Sequence, residues 1–258
     1  MNNVLTIAGS DSLAGGGLQA DLKTFEEFDL FGVSVITSVA SIFEDKVQIK
    51  ILDEHLLESQ LDSIITQMKL SAIKIGLVGD VDNVQLIADK LSDITAPLIL
   101  DPVLVFKEGS TDCDKSYLQA IKRLLPKALV VTPNLVEAQK LSGRQIESLE
   151  DMKQAAKDIQ DQGCPNVVIK GGSRMAGHSA VDYLLTENGD CIFKNPKANI
   201  STTNGAGCTF SAAVASGLAK GNSIENSVED AKSFVYAAIV HGNPVGSVWQ
   251  AASRNFPL

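Results

Sequence analysis

Short runs of β-branched and aliphatic residues alternate with amphipathic stretches along most of this chain. That rhythm leaves few folds open. VLTIAG (4–9), GVSVITSVASI (32–42) and VQIKIL (47–52) read as strands. Further strands fall within SAIKIGLVG (71–79), PLILDPVLV (97–105), ALVVTPN (128–134) and NVVIKGG (166–172). Between them, 18–28, 54–69, 81–94, 115–124, 135–141 and 149–162 carry helical spacing; Leu18, Leu22, Phe25 and Phe28 share one face. Strands alternating with helices imply parallel βαβ units with helices on both faces of a sheet. The stretch 180–194 breaks the rhythm: two strand-like runs flank Asn188-Gly189, a hairpin signal that predicts an antiparallel edge. Two helices, 207–219 and 224–240, complete the pattern. No linker-like segment or repeat divides the chain, so 1–258 is expected to form a single domain.

Composition narrows the function. The net charge is −9 and no Lys/Arg run stands out, which argues against a nucleic-acid partner. No apolar run approaches a membrane span. The four cysteines, at 113, 164, 191 and 208, form no CxxC pair, and the opening MNNVLTIAGS is not a signal peptide. The expectation is a reduced, cytoplasmic protein with free thiols. Three scattered histidines offer no metal-binding cluster.

In an open parallel sheet, ligands bind beyond the C-terminal strand ends. Here those ends are Gly9-Ser10-Asp11, Gly76, Asp101, Thr132-Pro133-Asn134 and Lys170-Gly171-Gly172. Any one of them is ordinary turn chemistry; together they favour a ligand site. NGAGCTFSAA (204–213) adds a glycine loop running into a helix. First-turn amides have no internal acceptor, so Gly205, Ala206, Gly207 and Cys208 can hold a phosphoryl group through N–H donors. The plainer reading is a helix start packed tightly on a strand. The same position is expected to lower the thiol pKa of Cys208 and suit it to act as a general base, although most cysteines are small core hydrophobes. No GK[ST] follows the glycines, so this is not a Walker A loop. SLAGGG is a poor match to a dinucleotide fingerprint.

Taken in order, LTIAGSD with GGGLQADLKTF (5–25), AIKIGLVG (72–79), LDPVLV (100–105), VVTPNLVEA (130–138), VVIKGG (167–172) and GAGCTFSAA (205–213) cover nearly the whole chain. In these blocks the chain resembles the ribokinase-like vitamin kinases, the group containing pyridoxal kinases and hydroxymethylpyrimidine phosphate kinases. The resemblance implies a three-layer αβα sandwich with a mostly parallel central sheet. It implies transfer of the γ-phosphoryl of ATP, with Mg2+, to a hydroxymethyl group on a heteroaromatic ring. Cys208 would be the base, where most sugar kinases of the superfamily carry aspartate. Asn134 and Glu137 would organise Mg2+ and its waters; Glu137 has the alternative role of a helix-start acid. Asp101 would lie beside the same cluster, or cap the turn into Pro102. Lys170 would lie over the ATP phosphates, with Thr203 touching phosphate or nucleotide. Gly16, Asp21, Ile42, Leu77 and Val103 would form the ring pocket, Leu77 and Val103 equally reading as core.

Relatives that phosphorylate hydroxymethylpyrimidine typically carry Gln-Asn-Thr where this chain has Ile42-Phe43-Glu44. Isoleucine cannot pair with an aminopyrimidine edge, and leaving such bonds unmade discriminates by ~10⁴ or more in the best cases. This departure, with the GAGCTF spelling, favours pyridoxal, pyridoxine or pyridoxamine, the alternative being the hydroxymethylpyrimidine (phosphate) acceptor of thiamine biosynthesis. Two other departures cut the other way. Phe106 stands where pyridoxal kinases of this branch often have a lid cysteine, and Asn204 stands for the usual histidine. The polar segment 106–114 reads as a flap or as a surface loop; as a flap, it would let Lys107 neutralise phosphate on closing. Family members are commonly dimers, and a homodimer using the edge at 32–52 is expected.

Overall fold

The computed structural model describes residues 2–43, 46–104, 114–175, 177–198 and 203–242. Strands β1 (Asn3–Asp11), β2 (Phe31–Phe43), β3 (Lys46–Ile51), β4 (Ala72–Ile75), β5 (Leu98–Leu100), β6 (Val130–Val131), β7 (Asn166–Lys170), β8 (Ser179–Thr186) and β9 (Gly189–Pro196) form one sheet in the order β3-β2-β1-β4-β5-β6-β7-β8-β9. From β2 to β7 every neighbouring pair is parallel. Antiparallel strands close both edges: β3 on β2, and β8 and β9 beyond β7. The second hairpin turns at Glu187-Asn188, one residue before the predicted pair. There the Thr186 hydroxyl accepts from the Asn188 amide at 3.1 Å, and Gly189 already pairs with Thr186.

Eight α-helices are present among the described residues: α1 (Gly17–Glu27), α2 (Glu54–Ile65), α3 (Val81–Lys90), α4 (Lys115–Leu124), α5 (Leu135–Ser142), α6 (Leu149–Gln160), α7 (Ala206–Ala219) and α8 (Ile224–Val240). The period-2 alternation of the strands divides the core in two. Leu5, Ile7, Ile73, Ile75, Leu100, Val131, Val167 and Ile169 face a layer built with Leu57, Ile87, Ile121 and Ile159 of α2, α3, α4 and α6. Val4, Ala72, Ile99, Val130, Val168 and Leu184 face Phe25, Phe210, Val214 and Phe234 of α1, α7 and α8. Each fully buried aliphatic side chain contributes roughly 1.5–3 kcal/mol relative to exposure. The result is the three-layer αβα sandwich expected from the sequence. Helix α7 is buried from Thr209 to Gly217. It is apolar nearly all round and made of small residues, so it lies close against the sheet with its first turn at the C-terminal strand ends.

Candidate active site

The strand alternation that builds the second core also builds the site. Two residues past the apolar position of each strand, on the face under α1, α7 and α8, a polar residue follows. Val4 leads to Thr6, Ala72 to Lys74, Ile99 to Asp101, Val130 to Thr132 and Val168 to Lys170. In β8, which runs the other way, Leu184 leads to Asp182. Sheet register sets these residues side by side: Thr6 pairs with Lys74, and Lys170 with Asp182.

A buried charge needs a partner, and the helices or a neighbouring strand end supply one for each. Asp21 of α1 receives Lys74 Nζ on both carboxylate oxygens, at 2.9 and 2.8 Å, and the Thr6 hydroxyl at 2.6 Å; Lys74 and Asp21 are both fully buried. Lys170 Nζ lies 3.0 Å from Asp101 Oδ1, and Ser211 Oγ of α7 donates to Asp101 Oδ2 at 3.1 Å. Lys232 of α8 pairs with Asp182 Oδ2 at 2.8 Å. Over this row opens a cleft of about 780 Å³.

Two loops meet in the middle of the cleft. Asp11 holds the first: Oδ2 accepts from the amides of Gly15 (3.0 Å) and Gly16 (2.9 Å), and Oδ1 from Leu13 (2.9 Å). Gly205, the residue that caps α7, lies against it with φ +79°; a Cβ there would stand 1.7 Å from the Gly15 carbonyl oxygen. This approach sets Cys208 beside Gly16, where an added Cβ would be 3.9 Å from the sulfur, and the Gly17 amide donates to Cys208. The sulfur thus sits between the starts of α1 and α7, on the cleft wall.

Several expectations are revised by this geometry. Burial pushes the Cys208 thiol up to about 11, with Asp21 and Asp101 adding to it, while Lys74 and the Gly17 amide oppose. Placement at a helix start does not by itself yield a thiolate here. Asp21 does not line the cleft; it lies beneath the wall and holds Lys74, which does. The Ala206 amide is turned to the Thr203 carbonyl at 3.2 Å, leaving Gly207 and Cys208 as the first-turn amides of α7 with no intrahelical acceptor. Asn134 caps α5: its Oδ1 accepts from Val136 (2.9 Å) and Glu137 (3.1 Å), so its amide hydrogens suit a phosphate oxygen better than a metal-bound water.

Glu137 closes the capping box by accepting from the Asn134 amide at 2.8 Å, so the helix-start role holds, yet its side chain also reaches the cleft. Burial raises it to about 7, Lys170 lowering and Asp101 raising it further. Lys170 is drawn down by burial, but Asp101 and Glu137 outweigh this and hold it above its ordinary value. Gly16, Leu77, Val103 and Thr203 border the cleft. Ile42 pairs with Val47 in the β2–β3 ladder. Phe106, Lys107 and the rest of 106–113 lie outside the described residues; Asp114, the last residue of the expected flap at 106–114, caps α4.

Five contributors were missed in the sequence. Lys74 was hidden inside the run AIKIG, although a lysine in a strand buried on both faces must have an anionic partner. Ser211 stands three residues after Cys208, on the same face of α7. Val47 and Ile49 of β3 add an apolar wall. Ser38, fully buried at the cleft, has a hydroxyl with no hydrogen-bond partner among the described residues.

Residues 11–252 match the family model described as phosphomethylpyrimidine kinase. Fold and match together define a kinase of the αβα class. More particularly, the chain belongs to the phosphomethylpyrimidine kinase family, whose members carry names of both kinds. It is 38% identical over 256 residues to the hydroxymethylpyrimidine/phosphomethylpyrimidine kinase of Haemophilus influenzae, covering 95% of this chain and 94% of the relative. It is 36% identical over 251 residues to the pyridoxine kinase of Bacillus subtilis, covering 95% and 93%. The structure of Staphylococcus aureus pyridoxal kinase in complex with AMP-PCP and pyridoxal superposes with a TM-score of 0.93 at 36% identity, over 99% of this chain and 96% of that one. Among the described residues, no helix is long and apolar enough to cross a membrane.

Proposed function

We propose that the cleft transfers the γ-phosphoryl group of ATP to the hydroxymethyl group of pyridoxal, pyridoxine or pyridoxamine. One observation carries this: Cys208 and the first-turn amides of Gly207 and Cys208, which have no acceptor among the described residues, lie between two unlike ends of one cleft. Toward β3 and β4 the walls are Val47, Ile49, Leu77 and Val103, an apolar slot suited to a flat ring. Toward β7 and β8 the walls are Lys170, the Asp182–Lys232 pair and Tyr236, room and charge suited to a nucleotide triphosphate.

In this reading Cys208, as thiolate, takes the proton of the acceptor hydroxyl. The hydroxyl oxygen attacks the γ-phosphorus, the bond to the β–γ bridging oxygen breaks, and ADP leaves. The Gly207 and Cys208 amides receive the charge that builds on the γ-phosphoryl oxygens. Lys170, tethered by Asp101, holds the phosphates as a point charge. Thr203 and Asn134 add donors. The donor set fits Mg2+, which takes one or two carboxylates and completes its shell with water and phosphate oxygens; Glu137 is the residue that would hold it. When bound, Mg2+ neutralises phosphate charge.

Two features support a pyridoxal-type acceptor over hydroxymethylpyrimidine. Position 42 is isoleucine, which offers an aminopyrimidine no hydrogen bond. The unpartnered Ser38 hydroxyl can meet a single ring substituent. The exposed Val39 and Phe43 on the outer face of β2 support a homodimer along this edge. The test of the acceptor is a side-by-side assay with MgATP, following the phosphate esters by chromatography. Pyridoxal should be turned over with a kcat/KM at least tenfold above hydroxymethylpyrimidine; the reverse ranking overturns the assignment.

A further inference from the structure

We propose that Lys74 is a positioning residue for Cys208: its buried ammonium, tethered by Asp21, is the fixed counter-charge for the sulfur when the acceptor's proton is moved. The inference rests on Cys208 being the base.

The geometry carries the argument. Lys74 lies mid-strand, fully buried, with β1 on one side and β5 on the other. A merely structural pair at such a place gains little, because a buried ion pair can often be replaced by packed apolar groups without loss. This pair is placed with its two members unequally disposed. The cation lines the cleft that Cys208 also lines, while the anion lies behind it, off the cleft. Asp21 is fixed by three hydrogen bonds, two from Lys74 and one from Thr6, so the ammonium cannot swing away. The lysine therefore presents a positive charge that does not reorganise, the property that makes a fixed charge effective in a site that excludes water.

Among the described residues, every charged group facing the sulfur enters the account. Lys74 comes from β4, Asp21 from α1, Asp101 from the end of β5 and Lys170 from the end of β7. Glu137 of α5 acts on Lys170 and Asp101 rather than on the sulfur. Asp101 is already engaged by Lys170 and Ser211. Of these groups, Lys74 exerts the strongest attraction on Cys208, ahead of the opposing influence of Asp21.

The test reads the thiol directly and needs no turnover. Cys208 is alkylated with iodoacetamide between pH 7 and 9, and the rate is followed from the mass of the peptide that carries it. In K74M the rate at pH 8 should fall by about tenfold or more, one unit of thiol pKa being about a factor of ten in thiolate. In D21N, which leaves the ammonium uncompensated, the rate should rise. If K74M fails to fold, D21N and the double variant K74M/D21L carry the test; the latter removes both charges and should still be alkylated more slowly than wild type, because the pull of Lys74 on the sulfur exceeds the push of Asp21. Cys208 rates that coincide with wild type in the folded variants overturn the proposal, because a structural role alters stability and leaves the thiol unmoved. A C208A enzyme that keeps full activity would refute the base assignment instead, and the alkylation result would still stand.

Discussion

Gly205 and Gly143 form a matched pair for testing how the two loops that meet in the cleft are held together. Both cap a helix end in the left-handed region, with φ of +79° and +78°. Alanine at either site pays the same backbone penalty, roughly 1–2 kcal/mol. For a domain of this size that is a drop in Tm of about 2–8 °C. The surroundings differ. Nothing lies within 4 Å of a Cβ at Gly143, whereas at Gly205 the Gly15 carbonyl oxygen would be 1.7 Å away. Reaching an ordinary C···O contact requires the two loops to part by roughly 1.5 Å. That movement carries Gly16 away from Cys208 and shifts the first-turn amides of α7. A displacement of about 1 Å can cost a factor of about 10² in rate. Gly205→Ala should therefore lose at least that factor in kcat/KM, while Gly143→Ala should lose stability alone. Thermal melts and steady-state kinetics on the two purified variants decide the matter. A Gly205→Ala enzyme within threefold of wild type, or a Gly143→Ala enzyme equally impaired, refutes the reasoning.

Two further predictions concern ionisation. Cys208→Ala should lower kcat by ~10²–10⁴, the usual worth of a positioned base, while calorimetry shows binding of an ATP analogue retained. Because burial holds the thiol near 11, wild-type turnover should climb between pH 7 and 9, and the variant's residual turnover should not; a flat wild-type profile would contradict a thiolate base. For Glu137, the folded pKa of about 7 exceeds the ordinary 4.5, burial being the main cause. The folded state thus binds this proton more tightly than the unfolded chain. Its stabilising contribution is complete below about pH 4.5 and fades as pH rises through about 7, a loss on the order of 3 kcal/mol. In metal-free buffer at pH 8, Glu137→Gln should therefore show a higher denaturant midpoint than wild type, the gap closing toward pH 4.5. A midpoint at or below wild type at pH 8 would exclude this.

Most of the fold was legible because it depends on patterns one strand or helix long. Alternating apolar runs located the strands, and helical spacing located the helices between them. The β2–β3 pairing was not read as antiparallel, because direction depends on what a strand meets across space. The site was legible where a residue type marks a strand end, as at Asp101, Asn134 and Lys170. It was not legible where function depends on depth. Asp21 and Lys74 lie 53 residues apart in sequence; only the sheet register, which sets Lys74 beside Thr6, brings them together. The Cys208 expectation failed for the same reason. A helix start is a local property and favours the thiolate, but desolvation and the carboxylates of Asp21 and Asp101 are properties of the packed molecule, and they prevail. As the proposed base, the sulfur therefore needs more positive charge near it than its helix start supplies. The groups that oppose this are Lys74 in the sheet and the Gly17 amide at the start of α1; they lower the thiol without bringing it back to its ordinary value, so the acidity of the sulfur depends on a strand interior and a helix start that motif reading would assign to packing.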